Sequence, residues 1–172
     1  MGAVQQGADA TAGHWLVIPR TLCFVVRGDY VLLMRRAAHK RVFPNQYNGL
    51  GGHIEANEDP LTSAQREIAE ESGLHVDDLR LVAVHHINTG QATGIVLFVF
   101  VGHTDESHVT AETPEGTLEW VHIQRLADYD LVEDLPLILP DYLYYNGATR
   151  HAFVTYDDQD RIQLRYAGGK LP

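Results

Sequence analysis

Cysteine, basic residues and long apolar runs are all scarce in this sequence. Cys23 is the only cysteine among 172 residues, so an intramolecular disulfide framework is excluded and a reducing compartment is favoured. The longest apolar run, residues 95–101, is too short to cross a bilayer and predicts a buried strand. The N-terminal residues lack the basic start and apolar segment of a secretory signal. We therefore expect a cytoplasmic protein without membrane contact, with Cys23 in its core.

Basic residues are outnumbered, with 13 lysines and arginines against 23 aspartates and glutamates and a formal net charge of −10. No basic stripe or arm is long enough to neutralise many phosphates, so binding to nucleic acid is not expected. A small phosphorylated substrate stays compatible with this charge, because a bound metal ion can screen its phosphates. One short basic segment is either a solvated loop or a collar that attracts a polyphosphate. It contains Arg35, Arg36, His39, Lys40 and Arg41.

The chain length predicts one domain with a sizeable core. Residues 1–13 are small and polar and are expected to form a flexible tail, which leaves residues 14–172 for the domain. The apolar pattern predicts strands within residues 15–26, 30–34, 81–88, 94–102, 118–123 and 151–166, and helices at 60–73 and from 134 to about 146. Residues 103–116 are predicted to form a loop. Strands interleaved with two helices on a mixed sheet indicate an α/β fold.

The best-defined helix lies in residues 52–74, GHIEANEDPLTSAQREIAEESGL. Asp59 is a suitable N-cap, Pro60 suits the first helical position, and Gly73 can take the left-handed conformation that ends a helix. Four residues are expected on the side turned toward the core: Leu61, Ala64, Ile68 and Ser72.

Another side of this helix carries Glu67, Glu70 and Glu71, and Glu58 adds a fourth carboxylate just upstream. Like charges three or four residues apart cost roughly 0.2–0.5 kcal/mol per pair in an isolated helix, so helix stability does not explain the cluster. A solvated acidic face is one interpretation. The other is a site for Mg²⁺ or Mn²⁺, because hard divalent cations require dense oxygen ligands and would turn the repulsion into attraction.

The spacing of the fixed residues resembles the Nudix box. Gly52 is followed after five residues by Glu58 and, after seven more, by the run REIAEESGL that starts at Arg66. The resemblance implies an α/β/α sandwich with a mixed β-sheet and hydrolysis of a phosphoric anhydride.

The same resemblance implies roles for individual residues of the box. The metal ligands would be Glu67, Glu70 and Glu71, with the Gly51 carbonyl as a backbone ligand. Arg66 would orient a carboxylate and Glu58 would support the junction between loop and helix, while Gly52 and Gly73 would be structural. The catalytic residues would be Arg66, Glu67 and Glu70, although the glutamate that acts as base varies within the family.

A further acid in a loop beyond the box often completes such sites. Glu115, in the segment TPEGTLEW, is the first candidate for this catalytic and metal-binding role, and Glu112 is the second. Either residue could equally be a solvated loop acid.

The segment YNGLGG, residues 47–52, is similar to a run in the 8-oxo-dGTP diphosphatase branch of the family. There the asparagine reads the purine, which implies that Asn48 reads a base; an amide offers a donor and an acceptor side by side. An ordinary turn asparagine is the alternative. Glu133 and Asp134 lie near where animal members of that branch have two aspartates that contact the base. The departure is the aliphatic pair Leu131 and Val132, near where those members carry a tryptophan that stacks on the purine.

Histidine, serine and cysteine offer no other catalytic arrangement. His85 and His86 are neighbours in a predicted strand and so point to opposite faces. We therefore do not expect this pair to chelate one ion. No clustered Cys/His spacing and no serine or cysteine nucleophile motif occurs. The histidines are therefore expected to be surface or core residues.

The sequence as a whole predicts an enzyme that hydrolyses a nucleoside triphosphate, such as 8-oxo-dGTP, to the monophosphate and pyrophosphate with Mg²⁺ or Mn²⁺. Alternative substrates are ADP-ribose, a nucleotide sugar or a dinucleoside polyphosphate. A nucleotide sensor without catalysis and an isomerase acting on isoprenoid diphosphates are the other classes considered. Both a monomer and a homodimer are compatible with the sequence.

Overall fold

The computed structural model describes residues 6–7, 13–110 and 112–168, and most of the tail predicted at residues 1–13 lies outside these ranges. Nine strands, two α-helices and one 3-10 helix form within them. The strands are β1 (Leu16–Arg27), β2 (Tyr30–Arg36), β3 (Tyr47–Asn48), β4 (Arg80–Ile87), β5 (Thr93–His103), β6 (Glu112–Thr113), β7 (Gly116–His122), β8 (Arg150–Tyr156) and β9 (Ile162–Tyr166). The helices are α1 (Pro60–Ser72) and α2 (Leu135–Tyr142), and the 3-10 helix is Ile123–Asp128.

The strands form one mixed sheet in the order β6-β7-β2-β1-β5-β4-β8-β9, with β3 paired to β2. The pairs β1–β5 and β4–β8 are parallel, and the remaining pairs are antiparallel. The long parallel pair at the centre, β1 with β5, joins segments that are far apart in the sequence. The predicted hairpins, β1–β2 and β8–β9, are both confirmed.

Each face of the sheet is covered by one helix. Because successive strand residues point to opposite faces, Cys23 and Phe24 are both fully buried but belong to different cores. The first core contains Phe24 and packs on Ile138 of α2, and the second contains Cys23 and packs on Ile68 of α1. Burial of each such large apolar side chain contributes about 1.5–3 kcal/mol. The predicted α/β/α sandwich and the buried position of Cys23 are confirmed.

Helix α1 has the two ends predicted from its sequence. The Asp59 carboxylate accepts hydrogen bonds from the N–H groups of Leu61 (2.9 Å) and Thr62 (3.0 Å), which satisfies donors that have no partner within the helix. Gly73 follows the last turn with φ 76°, in the left-handed region, and its N–H donates to the Ala69 carbonyl.

The buried side of α1 differs from the predicted one at its start. Ala64, Ile68 and Ser72 are buried, but Leu61 is 41% exposed, so the prediction for Leu61 was wrong. Bonds from Cα to Cβ in a helix tilt toward the N-terminus, and a first-turn side chain therefore projects past the helix end. Ser63 is fully buried instead.

Helix α2 ends at Tyr142, so the predicted end near residue 146 was wrong. Pro140 lies inside the helix and has no N–H to donate to the preceding turn, so one hydrogen bond of this short helix is missing. The predicted loop at residues 103–116 also contains the two-residue strand β6. In the part of the chain that is described, neither helix has the length and apolar character needed to cross a membrane.

The loop between β3 and α1 runs alongside β1 and positions the acidic helix. Cys23 and Leu50 exchange backbone hydrogen bonds of 2.7 and 3.0 Å, and the Thr21 N–H donates to the Gly52 carbonyl at 2.9 Å. These bonds hold Gly51 and Gly52 between β1 and the glutamate side of α1.

Candidate active site

A cavity of about 440 Å³ lies between the glycine loop, α1 and the turn that joins β6 to β7. Five of its ten lining residues are glutamates, which makes it strongly acidic. The lining residues are Gly51, Gly52, His53, Glu55, Glu67, Glu70, Glu71, Thr113, Pro114 and Glu115. The fold therefore brings together every residue that the sequence assigned to metal binding.

Glu71 is the most deeply placed carboxylate of the cavity. Its Oε2 accepts a hydrogen bond from the Gly51 N–H at 2.9 Å. The Glu71 pKa is raised to about 8, chiefly by burial; the Gly51 hydrogen bond opposes the rise, and the charges of Glu67 and Glu115 contribute to it. A cation beside Glu71 would favour the charged carboxylate and so offset the cost of burying it.

Arg66 connects the loop before α1 to the acidic side of the helix. Its Nε and Nη2 donate to the two carboxylate oxygens of Glu58, at 3.0 and 2.6 Å. Its Nη1 donates to Glu67 (2.9 Å) and Glu70 (3.1 Å). The pair of hydrogen bonds from Arg66, with a smaller effect from the Glu55 N–H, holds the Glu58 pKa at about 2. Arg66 thus fixes two cavity glutamates relative to the loop.

Gly52 lets the loop approach the Glu67 carboxylate closely. A Cβ atom added at Gly52 would lie 2.5 Å from Glu67 Oε1, well inside contact distance. Burial raises the Glu67 pKa, and the hydrogen bond from Arg66 opposes that rise. A side chain at residue 52 would therefore displace the Glu67 carboxylate from its present position.

Glu115 reaches the cavity and Glu112 does not. Glu115 lines the cavity, and its Oε2 lies 2.6 Å from Lys40 Nζ. The Glu115 carbonyl also accepts a hydrogen bond from the Ala37 N–H at 2.8 Å, which ties the β6–β7 turn to the loop after β2. Glu112 is exposed on β6 and is absent from the cavity wall.

The donor set of the cavity suits a hard divalent cation, since it consists of carboxylates and a glycine carbonyl. The residues that could hold one are Glu67, Glu70, Glu71 and Glu115, with Gly51. Among the residues described, no three Asp, Glu, His or Cys side chains stand arranged to hold one ion together. Arg66, the Gly51 N–H and Lys40 each engage a carboxylate of this donor set.

Asn48 and the acidic pair at residues 133–134 lie on segments that hydrogen-bond to each other. The Tyr47 N–H donates to the Asp130 carbonyl at 2.8 Å, and the Val132 N–H donates to the Tyr47 carbonyl at 3.0 Å. Asn48 Oδ1 accepts a hydrogen bond from the N–H of the next residue, Gly49, at 2.8 Å. The segment that leads to Glu133 and Asp134 therefore runs beside the two-residue strand that contains Asn48.

The two acids of that pair have different surroundings. Glu133 is exposed, and its Oε1 accepts a hydrogen bond from the Ile162 N–H at 3.0 Å. Burial raises the Asp134 pKa, and the charge of Glu133 adds to the rise. Asp134 is therefore the less exposed acid of the pair.

Residues 17–142 match the NUDIX domain family, and these residues make up well over half of the sequence. The chain belongs to the Nudix family. Nudix hydrolases act on nucleoside diphosphate derivatives, so the acidic cavity belongs to a protein of a hydrolase family.

Similar proteins include two curated Nudix relatives and a bacterial structure. The oxidized purine nucleoside triphosphate hydrolase of Mus musculus is 30% identical over 154 residues, covering 83% of this chain and 88% of that protein. The protein of the same name from Danio rerio is 31% identical over 118 residues, covering 62% and 67%. The crystal structure of a MutT protein from Bacillus halodurans has a TM-score of 0.75 and 23% identity over 90% of this chain and 100% of that one. The last likeness supports the Nudix fold alone.

Reasoning from the sequence missed Tyr156 of this Nudix domain. The Tyr156 side chain is 38% exposed at the end of β8. Tyr156 pairs with Ile162 of β9, whose N–H donates to Glu133 Oε1, so Tyr156 lies near the acidic pair. Burial raises the pKa of its hydroxyl, and the charges of Asp134 and Glu133 contribute to the rise. The sequence carries no signal for this position, because the neighbours come from a segment more than 20 residues away.

Proposed function

We propose that this Nudix protein is a divalent-metal-dependent pyrophosphohydrolase that converts a nucleoside triphosphate to the monophosphate and pyrophosphate. The observation that carries the proposal is the convergence of Glu67, Glu70, Glu71 and Glu115 on one cavity. Bound Mg²⁺ or Mn²⁺ would supply charge neutralisation on phosphate oxygens and lower the pKa of a bound water. Glu67, Glu70, Glu71, Glu115 and the Gly51 carbonyl are the proposed ligands.

The side chains of the cavity support the remaining steps. Hydrolysis forms a phosphorus–oxygen bond from water, breaks one phosphoric anhydride bond and sends a water proton to a base. Glu67 and Glu70 are the proposed bases, because both carboxylates line the cavity and both are oriented by Arg66. Glu70, with a side chain 60% exposed, is the more open of the two to water, whereas the Glu67 side chain is 15% exposed.

The proposed substrate is an oxidised purine deoxynucleoside triphosphate, of which 8-oxo-dGTP is the test case. The named activity of the Mus musculus relative and the adjacency of Asn48 to the segment before Glu133 and Asp134 support this choice. Asn48 would read the purine with the donor and acceptor atoms of its amide, and Glu133 and Asp134 would accept hydrogen bonds from the base.

A second candidate is hydrolysis of another nucleoside diphosphate derivative, namely ADP-ribose, a nucleotide sugar or a dinucleoside polyphosphate. Leu131 favours it, because an aliphatic side chain cannot supply the stacking face of an aromatic ring. A sensor without catalysis is less consistent with a cavity in which every predicted carboxylate is present.

We also propose a domain organisation, an oligomeric state and a location for the protein. Residues 14–172 would form one domain that acts on a small nucleotide as a monomer or homodimer and binds neither nucleic acid nor membranes. We also propose a cytoplasmic location, because the single cysteine, Cys23, is a free and buried thiol, as is usual in a reducing compartment.

The test is a turnover screen with Mg²⁺ and then Mn²⁺ over the dNTPs, 8-oxo-dGTP, ADP-ribose, nucleotide sugars and diadenosine polyphosphates, with every phosphorylated product resolved. We expect preference for 8-oxo-dGTP with release of pyrophosphate. Asn48→Ala should then reduce the kcat/KM ratio of 8-oxo-dGTP to dGTP about tenfold or more while hydrolysis persists, because reading of the base is lost. Flat activity or preference for a two-phosphate substrate would contradict the triphosphate proposal, and nucleotide binding without turnover would favour the sensor.

A further inference from the structure

Glu119 joins two tyrosines that come from distant parts of the chain. It lies on β7, and its two carboxylate oxygens accept hydrogen bonds from the hydroxyls of Tyr47 (2.9 Å) and Tyr129 (2.7 Å). The rings of these tyrosines meet edge to face, with their centroids 5.0 Å apart. Hydrogen bonds to a carboxylate are stronger than those between neutral groups, so the three side chains form one connected unit.

The stability of the sheet does not explain a glutamate at residue 119. Glu119 is exposed and pairs with Leu33 of β2, which is fully buried. Glutamate is less common in strands than β-branched and aromatic residues, and water alone could satisfy an exposed acid. Instead, both oxygens accept from tyrosines. The hydrogen bond raises the pKa of the Tyr129 hydroxyl, because loss of its proton would set two negative charges side by side.

The two tyrosines lie on segments that pair with each other over a short distance. Tyr47 and Leu131 form a parallel bridge, and the Tyr47 N–H donates to the Asp130 carbonyl at 2.8 Å. Gln46 Nε2 also donates to Asp130 Oδ1 at 3.1 Å. The Glu119 carboxylate adds a side-chain link from β7 to both segments, at Tyr47 and at Tyr129.

These two segments carry the residues proposed to read the base. Asn48 follows Tyr47 directly, and Glu133 and Asp134 follow shortly after Leu131. Because Leu131 offers no aromatic face for stacking, selection of a base depends on hydrogen bonds, which weaken steeply when their angles change. A shift of one segment against the other would therefore alter discrimination between bases more than it alters binding of the phosphates.

We propose that Glu119 is a positioning residue for base selection, which fixes the segment before Glu133 and Asp134 relative to Asn48 through its two tyrosines. The proposal rests on the proposed function and assigns part of its specificity to a residue outside the base-reading set. In the part of the chain that is described, the wall of the acidic cavity does not include Glu119. Its loss should therefore leave the hydrolytic step intact.

The experiment compares kcat/KM for 8-oxo-dGTP and dGTP in variants of Glu119. Glu119→Leu removes both hydrogen bonds, and we expect the ratio of kcat/KM for 8-oxo-dGTP to that for dGTP to fall about tenfold. The fall should come from a higher KM for 8-oxo-dGTP with kcat retained, whereas damage to the fold would lower kcat for both nucleotides. Glu119→Gln keeps an acceptor oxygen for one tyrosine and should restore part of the ratio.

The matched control is Asp128→Asn. Asp128 is exposed, precedes Tyr129 and pairs with Arg125, so the control removes a nearby negative charge without touching either tyrosine hydroxyl. The ratio should be the same in this variant as in the unmodified chain. An equal fall in Asp128→Asn and Glu119→Leu would assign the effect to charge alone and overturn the positioning role.

A double-variant cycle tests whether Glu119 acts through Tyr129. Tyr129→Phe removes one hydrogen bond and keeps the ring, so it should lower the ratio less than Glu119→Leu does. Added to Glu119→Leu, it should lower the ratio no further. Additive effects would overturn the positioning role, as would an unchanged ratio in Glu119→Leu. If Glu119→Leu does not fold, an unchanged ratio in both Tyr129→Phe and Glu119→Gln would overturn it.

The positioning role and the proposed function fail separately, because base recognition is also measured without turnover. Calorimetry with 8-oxo-dGMP and dGMP gives the ratio of their Kd values in the unmodified chain and in Glu119→Leu. A Kd ratio that depends on Glu119 in a chain that hydrolyses no triphosphate rejects the proposed function alone. Hydrolysis of 8-oxo-dGTP with an unchanged kcat/KM ratio in Glu119→Leu rejects the positioning role alone. A chain that distinguishes the two bases in neither assay also rejects that role.

Discussion

Lys40 Nζ lies 2.6 Å from Glu115 Oε2, and this ion pair links the loop after β2 to a glutamate of the acidic cavity. Glu115 is a proposed metal ligand, so Lys40 and a divalent ion compete for the same carboxylate. Both side chains are partly exposed, and an ion pair of this kind is worth about 0–1 kcal/mol.

Lys40→Gln should therefore lower the Mg²⁺ concentration that gives half-maximal hydrolysis, by roughly two- to fivefold given the small worth of such a pair. Glu115→Gln should raise that concentration, and Glu112→Gln, on the exposed strand β6, should leave it unchanged. A Mg²⁺ titration of turnover checks all three variants. If Lys40→Gln and the unmodified chain need equal Mg²⁺ concentrations for half-maximal hydrolysis, Lys40 and Mg²⁺ do not compete for Glu115.

Glu71→Gln should abolish turnover without unfolding the protein. The glutamine keeps the size of the side chain but removes a charge that a divalent ion requires, and a loss of at least about 100-fold in kcat is expected if a metal ligand is lost. Burial already disfavours the charged form of Glu71, so thermal stability in the absence of metal should be equal or higher. Measurement of kcat and of the unfolding temperature tests both statements, and retained turnover would remove Glu71 from the ligand set.

Gly52→Ala should reduce kcat/KM by about tenfold or more, because the added carbon pushes the Glu67 carboxylate from its place and small displacements of catalytic groups are costly. The comparison variant is Gly28→Ala in the β1–β2 turn, where the new carbon meets no atom within 4 Å. Its positive φ of 57° makes that change cost about 1 kcal/mol of stability while kcat/KM stays unchanged. Similar kcat/KM for the two variants would argue against a special role of Gly52.

His85 should make the protein less stable as the pH falls from 7 to 5. His85 is buried, its Nε2 lies 2.7 Å from the Tyr142 hydroxyl, and burial lowers its pKa to about 4. The unfolded chain takes up a proton near pH 6.5, whereas the folded chain does so only near pH 4. Stability is thus complete above pH 6.5 and is lost between these values, by about 2 kcal/mol at pH 5.

Urea unfolding at several pH values measures this loss. His85→Gln keeps a polar side chain beside Tyr142 but cannot titrate, so its free energy of unfolding should fall less between pH 7 and pH 5. Identical slopes in the variant and the unmodified chain would assign the pH dependence to other groups.

The sequence by itself determined helix α1 and the chemistry that it carries. Asp59, Pro60 and Gly73 act on their own neighbours through local hydrogen bonds and backbone preferences, so their effect can be predicted without the fold. The hairpin turn at Gly28 is local in the same sense. The order of glutamates in the box likewise needs no tertiary contact to be recognised.

Only the tertiary structure decided which other residues reach the cavity. Glu115 lines it and Glu112 does not, because pairing of β2 with β7 and the hydrogen bond from Ala37 place one end of the β6–β7 turn inward. The glycine loop reaches the cavity through backbone hydrogen bonds to β1, a strand well before it in the sequence. These placements depend on pairing between residues far apart in the sequence, for which short-range patterns carry no information.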